Sequence, residues 1–186
     1  MSERREELLQ AAVEWTLDHG LSQLSLRPLA KDLKTSARML IYHFESREGL
    51  IEAILEHLFL QWETRISVFL NESDSPRRAL QELWRQELRS PESQKMHRLI
   101  LDLWIGATIH QDPTLQKANR EILSAWQEAI TTLVAPPSEN QKEAQAKASL
   151  LLASMDGLLL QSLSDSELDI DAPFELLLEK LFPNSK

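Results

Sequence analysis

The apolar residues of this chain recur at intervals of three and four, and no segment alternates in the way that a β-strand would. Such a period places apolar side chains on one face of an α-helix. The first segment of this kind runs from about residue 2 to His19, and Gly20 after it supplies a left-handed stop. Because similar segments follow to the C-terminus, the pattern predicts an all-α fold.

Two short helices are predicted to meet across a tight turn near the N-terminus. Ser25 is placed to cap the first of them, because Leu24 and Leu29 form a hydrophobic staple around it and Pro28 falls in the first turn. Residues 34–36, with two hydroxyl side chains, then interrupt the pattern, and a third helix of about 37–43 follows. This arrangement predicts a helix-turn-helix over about 25–44.

Longer helices are predicted for the rest of the chain. Ser46 is placed to cap a fourth helix that carries apolar residues as far as Phe69. Further helices are expected at about 77–89, 92–110, 114–134, 139–163 and 174–182. We therefore expect a three-helix N-terminal domain over residues 1–46 and a helical bundle over residues 47–186.

Composition changes this picture in two respects. The 186 residues include no cysteine, which excludes disulfides and thiolate chemistry and fits a cytoplasmic location. The formal net charge is −9, which at first disfavours a nucleic-acid partner. Residues 22–47, however, contain five basic side chains against two acidic ones, a local net charge of +3. The predicted helix-turn-helix is thus the basic part of an acidic protein.

The start of the third helix carries the chemistry of base recognition. Its hydroxyls can donate to base edges, the Ala37 methyl can contact thymine, and the Arg38 guanidinium can bridge the O6 and N7 atoms of guanine. Flanking side chains and helix N-termini are placed to hold phosphates. The residues predicted to contact double-stranded DNA are Ser25, Arg27, Lys34, Thr35, Ser36, Ala37, Arg38, Met39, Tyr42, His43, Ser46 and Arg47.

The same segment resembles the N-terminal domain of the TetR family of repressors. The resemblance lies in the runs Leu26-Arg27-Pro28-Leu29-Ala30, Thr35-Ser36-Ala37-Arg38-Met39-Leu40, Tyr42-His43-Phe44 and Ser46-Arg47-Glu48-Gly49-Leu50, and covers roughly the first sixty residues. It implies a homodimer, an effector-binding C-terminal domain and a pseudo-palindromic operator. Lys34 departs from the glycine that the family often has at this turn, and such a residue costs about 1 kcal/mol in the left-handed conformation. Ile41 stands where an aromatic residue is common, which leaves the phosphate-contacting role to Tyr42 and His43.

Four tryptophans in the fourth to seventh helices, with polar residues near them in sequence, are candidates for an effector pocket. Asp102 interrupts an apolar run, so that it either balances a cationic ligand or pairs with a residue such as Arg98. The alternative for each tryptophan is a place in the core. The candidate effector-binding residues are Trp62, Trp84, His97, Asp102, Trp104 and Trp126.

The helix of about 139–163 is apolar over most of its circumference, which exceeds what one core face requires. A second copy of the chain would cover the extra face, together with the short helix at the C-terminus. The residues predicted at this dimer interface are Ser149, Ala153, Gly157, Leu160, Phe174 and Leu178.

Enzyme motifs are missing from the sequence. No histidine has a glutamate three residues before it or another histidine four residues away, and the four glycines form neither a phosphate-binding loop nor a nucleophile elbow. No apolar run is long enough to span a membrane. We therefore expect no catalysis, metal or cofactor. The remaining hypotheses are a ligand-responsive transcriptional regulator and a helical adaptor that binds protein and uses its basic unit only for folding.

Overall fold

The computed structural model describes residues 3–72, 75–90, 93–134 and 140–183, and all regular structure in these ranges is helical. This confirms the all-α prediction. A single 3₁₀ turn, Leu21–Gln23, follows the first helix. The helices are α1 (Glu3–His19), α2 (Leu26–Asp32), α3 (Ala37–Phe44), α4 (Arg47–Glu72), α5 (Pro76–Glu82), α6 (Ser93–Thr108), α7 (Pro113–Val134), α8 (Gln141–Ser164) and α9 (Asp171–Leu181). None of the described helices is both long and apolar enough to cross a bilayer.

Serine residues cap the N-termini of several of these helices. The Ser36 hydroxyl accepts from the Met39 N–H at 3.2 Å, and the Ser46 hydroxyl accepts from the Gly49 N–H at 2.9 Å. Both bonds satisfy an N–H that has no partner within its helix. Ser25 occupies the predicted N-cap of α2, but its side chain makes no capping hydrogen bond.

Two features of the later helices differ from the prediction. Helix α5 continues as a π-helical stretch, Leu83–Leu88, whose wider turn leaves Leu83, Trp84 and Leu88 all buried. Helix α9 begins at Asp171, before Pro173, because the Asp169 carboxylate accepts from the N–H groups of Asp171 and Ala172 at 3.0 and 3.1 Å. A proline is tolerated in the first turn, where its missing N–H costs nothing.

The chain divides into two compact units. The first unit contains residues up to Glu63 together with Arg98–Arg120, and its fully buried side chains include Leu29, Leu40 and Leu103. The second unit contains Thr64–His97 and the residues from Glu121 onward, with Leu83 and Phe174 fully buried. The boundaries of the units fall inside α4, α6 and α7. The division at residue 46 therefore stays a prediction.

Candidate nucleic-acid interface

The turn between α2 and α3 has the geometry of a helix-turn-helix. The Thr35 N–H donates to the Ala30 carbonyl at 2.9 Å, and the Lys34 N–H donates to the Lys31 carbonyl at 3.2 Å. Lys34 has a φ of 52°, as expected for a residue that replaces glycine at this turn. The bonds reverse the chain within a few residues and place α3 against α2.

Helix α3 has one buried face and one exposed face. Leu40 and Phe44 are buried and anchor the helix in the first unit. Met39, Ile41 and Tyr42 are exposed by 38, 46 and 76 %, which is unusual for large apolar side chains on one short helix. Arg38 is exposed at the N-terminal end of the same helix. The helix therefore presents apolar, aromatic and cationic groups to solvent.

The residues around α3 are only partly as predicted. Arg27 and Lys34 are exposed, so both have cationic groups that can reach a phosphate. The Arg47 Nε donates to the Leu24 carbonyl at 3.0 Å, and Nη1 lies 3.7 Å from the Glu48 carboxylate. Arg47 thus ties the start of α4 to the segment before α2, in addition to any phosphate contact.

His43 is half-buried beside the exposed face of α3. Its Nε2 atom is buried and has no hydrogen-bond partner among the described residues, and its ring packs edge-on against Tyr42 at 5.0 Å. The buried Nε2 atom does not face a phosphate, and a DNA contact by the rest of the half-buried His43 side chain stays a prediction. Tyr42, on the exposed side of this aromatic pair, keeps that assignment as a prediction.

Asp102 lies against the N-terminal helices. Its Oδ2 accepts from the Ser22 N–H at 3.3 Å, and a Cβ added to Gly20 would lie 2.5 Å from the same oxygen. Gly20 itself has φ 88° and ψ 157°, a conformation that is positive in φ but not left-handed helical. The carboxylate of Asp102 therefore accepts from a backbone donor of the turn after α1, which favours a structural pairing over an effector contact.

The other predicted effector residues are divided between the units. Trp62 and Trp104 are half-buried in the first unit, and Trp126 is half-buried in the second. Trp84 is 2 % exposed, stacks on Phe174 at 4.1 Å, and donates its indole N–H to Asp171 at 2.6 Å. Because its ring and its N–H are occupied, Trp84 is a core residue of the second unit and not part of a pocket wall.

Two titratable groups of the second unit have shifted pKa values, the buried His97 on α6 and the half-buried Asp156 on α8. The His97 side chain is 8 % exposed with an unpaired Nε2, and burial lowers its pKa to about 4, so the ring is neutral at pH 7. Burial also raises the pKa of Asp156, on α8, to about 6. Asp156 is not among the residues predicted from the sequence, although it interrupts the apolar run of α8 as Asp102 interrupts that of α6.

The predicted dimer residues separate into two groups. Phe174 and Leu178 are completely buried within the chain, which makes their assignment to the interface wrong. The Ser149 hydroxyl donates to Gln127 of α7 at 3.2 Å, a contact inside the second unit. Ala153 and Gly157 line an open groove of about 560 Å³ between α8 and α9, and Leu160 is 38 % exposed. The α9 side of the groove comprises Pro173, Leu176, Leu177 and Lys180.

Comparison with known proteins identifies the helix-turn-helix. The family model described as bacterial regulatory proteins of the tetR family matches residues 8–54, which contain α2, α3 and parts of α1 and α4. The nicotine-responsive transcriptional repressor HdnoR of Paenarthrobacter nicotinovorans is 25 % identical over 88 % of this chain and 85 % of its own length. Residues 8–54 thus form a helix-turn-helix domain of the TetR type.

Other relatives extend the likeness over the remaining helices. The transcriptional regulator BetI 1 of Chromohalobacter salexigens is 24 % identical over 93 % of this chain and 86 % of its own. A transcriptional regulator from Rhodococcus sp. Rha1 shares the fold with a TM-score of 0.77, at 24 % identity, over 95 % of this chain and 92 % of that one. A transcriptional regulator from Saccharomonospora viridis, solved in complex with choline, has a TM-score of 0.75 at 20 % identity, over 97 % and 94 % of the two chains.

The match of residues 8–54 and the similarity to curated regulators over most of the chain decide between the two hypotheses left open by the sequence. The chain is a DNA-binding transcription regulator with a helix-turn-helix, and the protein-binding adaptor is not supported. The expectation that it is not an enzyme is also confirmed, since each relative named above is a transcription regulator.

Proposed function

We propose that this regulator is a ligand-responsive repressor that binds a pseudo-palindromic operator as a homodimer. The observation that carries the proposal is the exposed face of α3, where Met39 and Tyr42 lie beside Arg38 while Leu40 and Phe44 hold the opposite face in the core. The second helix of a helix-turn-helix lies in the major groove, with its N-terminal residues at the base edges. The guanidinium on this face can bridge the O6 and N7 atoms of guanine, and its apolar side chains can contact the methyl group of thymine.

Base reading by Arg38 is tested with the full chain on duplexes that it selects from a random pool. Arg38→Ala is expected to lose about 1 to 3 kcal/mol of affinity and to relax the preference at one base position. Arg27→Ala is the matched control, because an exposed arginine that binds phosphate weakens all sequences alike and lowers the salt dependence. If Arg38→Ala selects the same sequence with the same affinity, α3 does not read bases through this residue.

Assembly as a dimer is supported by the groove between α8 and α9. Leu150, Leu160 and Leu176 are 51, 38 and 55 % exposed on these two helices, so each chain leaves a leucine-rich surface uncovered. A two-fold pairing covers such a surface on both copies at once and leaves no open contact. Nothing lies within 4 Å of a Cβ added at Gly157, so the groove has room for a partner's side chains there.

Substitution at Gly157 tests this interface without disturbing the isolated chain. Gly157→Trp is expected to give a monomer in sedimentation at micromolar concentration, whereas Gly157→Ala is expected to stay a dimer. Both variants should have helix content like the wild type, because the position is open within the chain. A dimer that survives Gly157→Trp would place the interface on another face.

Response to a ligand is supported by two polar groups of the second unit: the buried Nε2 of His97, which has no partner among the described residues, and the half-buried carboxyl of Asp156. A buried polar group without a partner is costly, and such groups cluster at functional sites. Asp156 on α8 offers a carboxylate to an organic cation, and His97 on α6 offers a neutral imidazole as a separate hydrogen-bonding group. The nicotine-responsive relative and the relative in complex with choline have names that point to the same class of ligand.

The proposed response to a ligand is tested by titration with choline and nicotine. Binding is followed by tryptophan fluorescence, with and without the selected duplex. An effector that weakens DNA binding must itself bind less tightly to the DNA complex, because the coupling is reciprocal. Asp156→Asn is expected to lose the affinity for the cation, while Asp165→Asn, an exposed acid at the end of α8, is the control. Equal affinity with and without DNA would exclude the compound as the effector.

A further inference from the structure

Helix α3 depends on the rest of the chain for its position. It has only eight residues, and a helix of that length is marginal on its own. Ser36 caps its N-terminal end, but its C-terminal end is followed by Glu45, whose φ of 68° is unfavourable for a residue other than glycine. The carbonyls of Ile41 and Phe44 accept from the N–H groups of Glu45 and Ser46, directly after the helix. The His43 carbonyl has no such bond to the following residues, so its donor must come from another segment.

Arg5 of α1 supplies that donor. Its Nε donates to the carbonyl oxygen of His43 at 3.2 Å, and its guanidinium carbon lies 4.9 Å from the centroid of the Phe44 ring. A cation at a helix C-terminus is favoured by the helix dipole, and a guanidinium over an aromatic face gains a further attraction. One side chain thus holds the last two residues of α3 from a position 38 residues earlier in the chain.

The position of this contact matters for the exposed face of α3. A helix of eight residues is about 12 Å long, so a tilt of about 5° at one end moves the other end by about 1 Å. A shift of that size is enough to turn a good hydrogen bond to a base into a contact that no longer counts as one. Arg38, at the far end of α3, is the residue whose position would change.

We propose that Arg5 is a positioning residue for DNA recognition, which fixes the C-terminal end of α3 and thereby the placement of the base-reading residues in the major groove. This inference rests on the proposed reading of bases by α3. Arg5 acts through His43 and Phe44. The competing role for an arginine near a DNA-binding helix is a direct phosphate contact, and the two roles differ in their dependence on sequence and salt.

The neighbouring Arg4 provides a matched control. It carries the same charge on the same helix turn, but it is 54 % exposed and pairs with Glu7 at 2.8 Å within α1. The test compares Arg5→Ala, Arg5→Lys and Arg4→Ala in the full chain, at a temperature where all three are folded by circular dichroism. The probes are a duplex that the wild type selects from a random pool and a scrambled duplex of equal length, each at several salt concentrations.

Arg5→Ala is expected to bind the selected duplex about tenfold more weakly than Arg4→Ala does, because a charged hydrogen bond and a cation–π contact together contribute at least that factor. Binding to the scrambled duplex and the salt dependence should match those of Arg4→Ala. Arg5→Lys is expected to recover part of the loss, because it keeps a cation and a donor.

Three results would overturn the proposal. Equal losses on both duplexes, with a weaker salt dependence than Arg4→Ala shows, would make Arg5 a phosphate contact. A lower melting temperature with unchanged affinity for the selected duplex would make it a packing residue. Affinities of Arg5→Ala and Arg4→Ala that agree on both duplexes would remove the role altogether. Failure of the wild type to select any sequence would instead refute base reading by α3, and the two failures are thus distinguished.

Discussion

Replacement of Gly20 by alanine is expected to destabilise the protein through two separable effects. At φ 88° and ψ 157° the backbone lies in a region that is essentially restricted to glycine, and an alanine held there costs about 1 to 3 kcal/mol. The new Cβ would also lie 2.5 Å from Oδ2 of Asp102, so the carboxylate must move. That movement breaks its hydrogen bond with the Ser22 N–H, which adds about 1 kcal/mol. The total is about 2 to 4 kcal/mol.

A double-mutant cycle separates the two effects. Asp102→Ala alone is expected to cost about 1 kcal/mol, because it removes the hydrogen bond to Ser22. In the Gly20→Ala background that bond is already broken, so the second substitution should cost little and the two should couple by about 1 kcal/mol. Urea unfolding of the four proteins gives the coupling directly, provided that the slopes agree.

Gly157→Ala is the control for the change from glycine to alanine. Gly157 lies inside α8, and nothing stands within 4 Å of an added Cβ. Alanine there should be neutral or stabilising by about 0.5 to 1 kcal/mol, because glycine is a poor helix former. The reasoning is refuted if Gly20→Ala is tolerated as well as Gly157→Ala, or if Gly20→Ala and Asp102→Ala are additive.

Two further predictions concern charge and backbone strain. The pKa of Asp156 is raised to about 6 in the folded chain, so the unfolded chain loses this proton first and the carboxyl lowers stability as pH rises from about 4 to 6. In urea unfolding, Asp156→Asn should therefore be more stable than the wild type at pH 7.5 and equal to it near pH 4. A variant less stable than the wild type at pH 7.5 would reveal a partner for the carboxylate. Lys34 has a φ of 52°, which glycine adopts without strain, so Lys34→Gly should stabilise the protein by about 1 kcal/mol. The same variant should bind DNA more weakly at low salt if Lys34 holds a phosphate. An unchanged affinity for DNA would show that Lys34 makes no such contact.

Local features of the N-terminal helices could be predicted from the sequence. The caps at Ser36 and Ser46 and the positive φ at Lys34 each depend on a few neighbouring residues, and the structure has all three. The period of the apolar residues likewise predicts Leu40 and Phe44 as anchors of α3, and both are buried. Each of these features depends only on residues within one or two helical turns, so the local sequence is enough to predict it.

The local sequence does not show which face of α9 is buried. Phe174 and Leu178 are four residues apart, as are other apolar pairs in a helix that is apolar on more than one side. Sequence spacing shows that both faces exist, but contacts from distant segments decide which one is inside. In the structure Trp84 stacks on Phe174, which places that face in the core and leaves Leu176 on the open side.

Asp102 and Asp156 show how far such reasoning extends to the effector site. Each is an acid that interrupts an apolar helix, so the sequence gives equal grounds for assigning either to a cationic ligand. Asp102 accepts from the N–H of Ser22, a residue 80 positions away, and its place in an apolar run is thereby explained without a ligand. Asp156 has no such partner among the described residues, and its raised pKa reflects a carboxylate whose charge is not compensated within that part of the chain. A bound cation would restore the compensation, and the search for an effector is therefore better centred on Asp156 than on Asp102.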